Sequence, residues 1–259
     1  MATKEEIHKF WSQHLPQMSY SDKEEYTREY FDEIEKKRYE TYYKYLPKIL
    51  QWNKYKDKKV LEIGCGVGTE ILQFAKNESI VIGIDLTKKA IEITKKRFEL
   101  YKFKRKFMQA DAENLPFEDN TFDLVYSLGV LHHTPNTKKA IREAYRVLKP
   151  NGKIIILLYA KGWKYYLLTS FFYNFVPEHK KNNTTETFGC PLVKIYSRKE
   201  VKRLFDFPVK IVRYRMGCYF DYKMKAFGIT LMPDFIVNLA KILRLERIIG
   251  ENWVITNGK

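Results

Sequence analysis

The stretch Val60-Leu61-Glu62-Ile63-Gly64-Cys65-Gly66-Val67-Gly68-Thr69 restricts the fold more than any other part of the chain. An apolar strand carrying one carboxylate, Glu62, runs into glycines at every second position, and residues 69–76 then read as a helix. Glycine turns the backbone tightly and admits a ligand where a Cβ would clash. A ligand over such a turn meets the free amides at the helix start. The stretch therefore specifies a strand–turn–helix unit with a binding site at the carboxyl end of the strand.

Further units of the same kind follow. Residues 79–85, 106–110, 122–127 and 153–159 read as strands, and residues 87–100 and 137–148 as helices, with Thr87 a suitable N-cap. Lys149-Pro150-Asn151-Gly152 is a turn cluster that stops the second of these helices. Strands alternating with helices imply an α/β fold, a doubly wound parallel sheet with helices on both faces. Ahead of it, residues 22–50 read as helical, with aromatic and aliphatic side chains at three- and four-residue spacing. Beyond residue 160 the regularity breaks. A short helix is expected over 197–205 and a sixth strand over 209–214. An irregular insert over 216–250 carries an amphipathic helix near 235–245, and 253–256 read as a last edge strand. The chain thus divides into an N-terminal helical part (1–57), a nucleotide-binding core (58–159) and cap elements with the last two strands (160–259). A length of 259 residues suits one such domain with a lid.

Asp85 closes the second strand 21 residues after Gly64, about the spacing at which a carboxylate meets ribose hydroxyls in nucleotide-binding α/β folds. The glycines run G-x-G-x-G, not the G-x-G-x-x-G of dinucleotide binders. Asp111, in Gln109-Ala110-Asp111-Ala112, ends the third strand, where a carboxylate can receive an adenine amino group.

Glu62, Gly64, Gly66, Gly68, Asp85 and Asp111 together resemble the class I S-adenosylmethionine-dependent methyltransferases. Leu115-Pro116-Phe117, Phe122-Asp123-Leu124-Val125, Val130-Leu131-His132-His133 and Leu148-Lys149-Pro150-Asn151-Gly152 look like the ubiquinone/menaquinone-biosynthesis-like (type 11) branch. The resemblance covers roughly residues 58–159. It implies a seven-stranded, mostly parallel sheet in the order 3-2-1-4-5-7-6 with the last strand antiparallel, an N-terminal helical lid, and insertions after strands 5 and 6. It implies S-adenosyl-L-methionine as cofactor. Glu62 and the turn Gly64, Cys65, Gly66 and Gly68 would hold its methionine end, Asp85 and Leu86 its ribose, and Asp111 and Ala112 its adenine, with Leu128 a further contact.

A sulfonium activates its own methyl group, so such an enzyme aligns an acceptor and excludes water without a protein nucleophile. A hydroxyl acceptor also needs a base. His133, after the fourth strand, is the catalytic candidate, since an imidazole ordinarily titrates near neutrality; local packing is the competing role for it and for His132. Under the implied lid, Tyr26, Tyr30 and Arg38 are candidate substrate contacts, near Trp11, Phe31 and Tyr39. Arg38 could reach the cofactor carboxylate, or be solvated on a packed helix. Tyr196, in Tyr196-Ser197-Arg198, is a further pocket candidate, where Ser197 also reads as an N-cap. The aromatic segment from Trp163 to Phe175 either roofs an apolar pocket or packs a cap. With the 235–245 helix and Lys241, Arg244 and Arg247 it could also form a peripheral membrane contact.

Composition narrows the remaining choices. Apolar residues make up 45% of the chain and charged residues 30%, which supports a buried core. No apolar run of about 18 residues predicts a membrane span, and the first residues lack a secretory pattern, so the cytoplasm is expected. Cys65, Cys190 and Cys218, an odd count without CxxC spacing, predict neither a disulfide framework nor a metal site. The net charge of +16 is concentrated late, with 18 basic and 8 acidic side chains from residue 161 onward. Such a field favours an anionic partner, or reflects scattered solubilising lysines. The expected activity is methyl transfer to a small or lipid-like acceptor, at oxygen. A tRNA or rRNA methyltransferase and a non-catalytic cofactor-binding regulator are the alternatives.

Overall fold

In the computed structural model, residues 2–161, 189–214 and 252–257 are described. The apolar runs form the sheet. β1 (Lys59–Ile63), β2 (Ile80–Asp85), β3 (Lys106–Gln109), β4 (Phe122–Leu128) and β5 (Leu148–Tyr159) pair in parallel. β6 (Val209–Tyr214) and β7 (Asn252–Asn257) complete the expected order β3-β2-β1-β4-β5-β7-β6. β7 runs antiparallel to both of its neighbours, with Ile156 opposite Ile255 on one side and Ile211 opposite Ile255 on the other. Residues 253–256 are therefore not at the edge, contrary to the sequence reading. Trp253, Val254 and Ile255 are all buried, as an interior strand with both faces covered requires.

α4 (Thr69–Lys76) and α5 (Lys88–Leu100) cover one face of the sheet through Ile71, Leu72, Phe74, Ile91 and Phe98. α6 (Thr137–Arg146) and the short α7 (Arg198–Leu204) cover the other through Ala140, Ile141, Ala144 and Val201. The side chain of Thr87 caps α5 as expected, accepting from the Ala90 amide at 3.3 Å. Ser197 caps α7 in a reciprocal pair with Glu200. Lys149-Pro150-Asn151-Gly152 does not separate a helix from a strand. It lies within β5 as an irregularity, with Phe122 opposite Leu148 and Leu124 opposite Lys153.

The N-terminal part is more divided than a single helical reading allows. α1 (Lys4–Gln13) begins at a capping box of Thr3 and Glu6. α2 (Arg28–Lys37) passes directly into a π-helical turn, Arg38–Tyr42, and α3 (Leu46–Leu50) follows. Phe31 and Ile34 of α2 pack on Val67, Ala90 and Ile93, which ties this segment to α4 and α5. The aromatic stretch from Trp163 to Phe175, the 235–245 helix with Lys241, Arg244 and Arg247, and Cys218 lie outside the described residues. Among the described residues no helix is long and apolar enough to cross a membrane.

Candidate active site

The site grows out of the turn after β1. The amides of Gly64 and Cys65 both donate to the Ile84 carbonyl, at 2.8 and 2.9 Å, which folds the turn back over the end of β2. Gly64 and Gly66 have φ of +80° and +53°, the left-handed region that glycine occupies without strain. A Cβ on Gly64 would stand 2.3 Å from Cγ2 of Val130, whereas one on Gly66 would meet nothing within 4 Å. Gly66 therefore presents bare backbone to open space. Asp85 braces it: one carboxylate oxygen accepts the Gly66 amide at 3.1 Å, and the other accepts the amide and hydroxyl of Thr87 at 2.9 and 3.0 Å. Burial raises the Asp85 carboxyl above its ordinary value in spite of these bonds.

A cavity opens at the carboxyl ends of β1, β2 and β4. Glu62, Gly64, Cys65, Gly66, Asp85, Leu86, Asp111, Ala112, Leu128, Arg38 and His133 all line it, so most of the residues expected from the sequence converge on one space. Gly68 does not. It caps α4, and a Cβ there would press on Thr94 at 3.0 Å, so it shapes the turn from behind.

Glu62 is 2% exposed, and its Oε2 has no hydrogen-bond partner among the described residues. Burial, then the nearby Glu70 carboxylate, push its carboxyl well above the usual range. Arg38 reaches the same wall from the π-helical turn. Its Nε donates to Oε1 of Glu70 at 2.6 Å, and its guanidinium lies 3.9 Å above the Tyr43 ring. Arg38 is thus buried and paired, not solvated. Asp111 receives the ammonium of Lys4 at 2.5 Å, and the same nitrogen meets Glu113 at 2.9 Å.

His133 also lines the cavity. Its Nδ1 lies 2.8 Å from the Leu192 carbonyl, which can only accept, so Nδ1 carries the proton and Nε2 the lone pair. Nε2 is buried without a partner among the described residues. Desolvation lowers this imidazole to about 4, so it is neutral at physiological pH. The sequence-based expectation of an imidazole titrating near neutrality is therefore corrected. The Trp11 ring meets His133 edge-on at 4.9 Å, and Tyr159 adjoins both histidines. His132 is fully buried, off the cavity wall and tilted against Tyr159 with ring centroids 3.9 Å apart, and burial likewise lowers its imidazole.

Three expected substrate contacts lie elsewhere. Tyr30 is buried in the N-terminal cluster, where its hydroxyl donates to the Met18 carbonyl at 2.7 Å. Tyr26 lies on the surface side of that cluster, with the Lys96 ammonium 4.6 Å from its ring. Tyr196 turns toward α6, donating to the Thr137 hydroxyl at 3.0 Å. Each of these side chains faces a protein partner away from the cavity. In their place α1 and the residues after it supply Lys4, Ile7, Trp11, Leu15, Pro16 and Gln17 to the wall. Apart from Trp11, sequence reasoning singled out none of these; the Thr3-x-x-Glu6 pattern was the readable signal for their helix.

Comparison with known proteins agrees with this geometry. Residues 61–156 match a family profile described as a methyltransferase domain. A sterol 4-C-methyltransferase of Caenorhabditis elegans is 31% identical over 144 residues, 55% of this chain and 41% of that protein. A phosphoethanolamine N-methyltransferase of the same organism is 39% identical over 106 residues, 40% of this chain and 24% of the relative. A ubiquinone biosynthesis O-methyltransferase of Coxiella burnetii is 28% identical over 127 residues, 48% of this chain and 54% of the relative. The chain thus spans about half or less of the length of these curated relatives. The crystal structure of the PH0226 protein from Pyrococcus horikoshii superposes with a TM-score of 0.58 at 20% identity, covering 97% of this chain and 99% of that one. The YcgJ protein of Bacillus subtilis gives 0.57 at 20% identity, covering 82% and 96%. At that identity the likeness is one of fold. Residues 61–156 of this chain thus match a methyltransferase domain, and the sheet around them has the fold of these two solved proteins.

Proposed function

We propose that the protein transfers the methyl group of S-adenosylmethionine to a hydroxyl oxygen on a small or lipid-like acceptor. The observation that carries this reading is the Glu62 carboxyl, buried at the cavity wall beside Tyr126, with its Oε2 lacking a hydrogen-bond partner among the described residues. A buried, unpaired acid is costly to keep, and a cationic amino group supplied by a ligand would offset that cost. The other residues fit the same ligand. Bare backbone at Gly66 leaves room for close approach, Asp85 stands at the end of β2 where ribose hydroxyls can donate to it, and Asp111 and Ala112 border the space for adenine. Arg38, beside Glu62 and Glu70, offers a cation to the carboxylate of the methionine end.

When bound, the sulfonium supplies a methyl group already activated for transfer. The chain's own residues then position and desolvate. Trp11 and Tyr159 pack on His133 and, with Leu15, Val130 and Leu157 elsewhere in the lining, make the cavity wall apolar, which limits water on the acceptor side. Nε2 of His133 accepts the hydrogen of the acceptor hydroxyl, because Nδ1–H is committed to Leu192. An oxygen becoming bonded to a methyl group turns strongly acidic, so a base as weak as this imidazole suffices to take its proton. The named relatives methylate carbon, nitrogen and oxygen respectively, so the assignment to oxygen rests on this imidazole and its lone pair. Cys65 and Cys190, both buried as free thiols, support a cytoplasmic setting.

The test combines calorimetry with a labelled-methyl screen. S-adenosylhomocysteine is expected to bind the purified protein, and fractions of cell extract containing hydroxylated small molecules are expected to take up label. A protein that binds neither cofactor nor product would overturn the reading, and label found only in RNA would move the activity to a different acceptor.

A further inference from the structure

The inward face of α1 has an unusual task. Lys4, Ile7 and Trp11, spaced three and four residues apart, share one side of the helix, and all three line the cavity. The opposite side, with Glu5, Glu6, Lys9 and Gln13, is exposed. A helix of ten residues is marginal on its own and depends on docking. Here much of the surface it docks on is the wall of a ligand site. What fills the cavity therefore completes the seat of α1.

The two ends of this face meet two separate parts of the cavity wall. Lys4 and Trp11 stand two turns apart, about 10 Å along the axis. At one end the Lys4 ammonium bridges Asp111 and Glu113. An ammonium has three hydrogens, and these two bonds leave one for a ligand atom. At the other end Trp11 packs on His133. A second route joins the same points: Glu113 accepts the Asn136 amide at 2.6 Å, just beyond the segment that carries His133, Thr134 and Pro135.

We propose that α1 is a strap that reads both ligands, with Lys4 a positioning residue at the adenine end and Trp11 a specificity-determining wall of the acceptor pocket, so that cofactor bound at Asp111 sets the acceptor wall at His133. This rests on the cofactor placement given above. It couples the two ligands: each adds contacts to a helix face that also meets the other. Because Lys4 is 44% exposed, its ties weaken with salt, and the coupling weakens with them.

Trp11 itself is the reporter, its signal isolated by subtracting a Trp11→Phe protein. S-adenosylhomocysteine and 5′-methylthioadenosine, which both carry adenine, are expected to change Trp11 emission, and methionine at equal concentration is not. Lys4→Gln should raise the Kd of S-adenosylhomocysteine about 2–5-fold at low salt, remove most of its salt dependence, and reduce the Trp11 response, with Lys4→Arg restoring all three. Calorimetric binding of S-adenosylhomocysteine without a Trp11 response, or with a Kd and salt profile unchanged by Lys4→Gln, would overturn the strap alone. Absence of calorimetric binding to the wild-type protein would instead overturn the cofactor placement beneath it.

Discussion

His133→Asn isolates the electrostatic state of the acceptor wall. Asparagine keeps a side-chain N–H near the position of Nδ1, able to donate to the Leu192 carbonyl, and removes the titration. In the folded protein the imidazole stays neutral down to about pH 4, while in the unfolded chain it protonates below its ordinary 6.5. Between those values the unfolded state holds more protons, so stability falls as the pH is lowered. The full gap corresponds to about 3 kcal/mol at 1.36 kcal/mol per pH unit, and about 2 kcal/mol of it is lost between pH 7 and pH 5. Urea unfolding of both proteins at these two pH values gives the difference directly. The contributions of His132, also lowered by burial, and of Glu62 and Asp85, raised by it, are shared by both proteins and largely cancel. The variant is expected to lose about 2 kcal/mol less than the wild type on acidification. Equal losses would refute the buried, neutral assignment. The same state predicts a methyl-transfer rate with no acid limb from His133 until the pH nears 4, and His133→Ala should lower kcat about 10²–10⁴-fold while leaving cofactor affinity nearly unchanged.

Asp85→Ala should weaken S-adenosylhomocysteine binding by about 1–3 kcal/mol in calorimetry, since it removes a charged acceptor and the brace on the Gly66 amide. Gly66→Val should fail to bind cofactor and, although its Cβ meets open space, should lose some stability to left-handed strain; wild-type affinity would place the ligand elsewhere. Gly64→Ala should instead destabilise the fold by about 2–4 kcal/mol, from left-handed strain and overlap with Val130, as read by urea unfolding. Glu62→Gln should reduce cofactor affinity about 10- to 100-fold while stability does not fall, because the carboxyl it replaces is costly to ionise where it is buried and its Oε2 has no hydrogen-bond partner among the described residues.

The sheet and the convergence of Glu62, Asp85 and Asp111 on one cavity were legible because strand ends are fixed by apolar runs, and these carboxylates sit at those ends. The acceptor side was not. The lowered basicity of His133 comes from burial, and its tautomer from Leu192, distant in sequence, so the pair Val130-Leu131-His132-His133 alone says nothing of either. Tyr26 and Tyr30 show the limit of periodicity, which identifies an inward face without saying whether protein or ligand lies beneath it. The stripe of α1 fails in the reverse sense. Its inward residues look like a sparse core stripe, and they line a cavity. β7 read as an edge because it comes last in sequence, although its unbroken apolar run already indicated burial on both faces.

The place of β7 has a consequence for how the chain is made. Translation delivers β1 to β5 first, then β6, and only afterwards the strand that lies between β5 and β6. Until residues 252–257 leave the ribosome, the outer side of Ile155–Tyr159 is an unpaired apolar edge, the kind of surface that recruits other chains. β6 meanwhile has no neighbour within the sheet to hold it. A ribosome stalled before residue 252 would therefore hold a nascent chain with its nucleotide turn already encoded and its sheet still open, and such chains are the ones a trigger-factor-like chaperone is expected to retain.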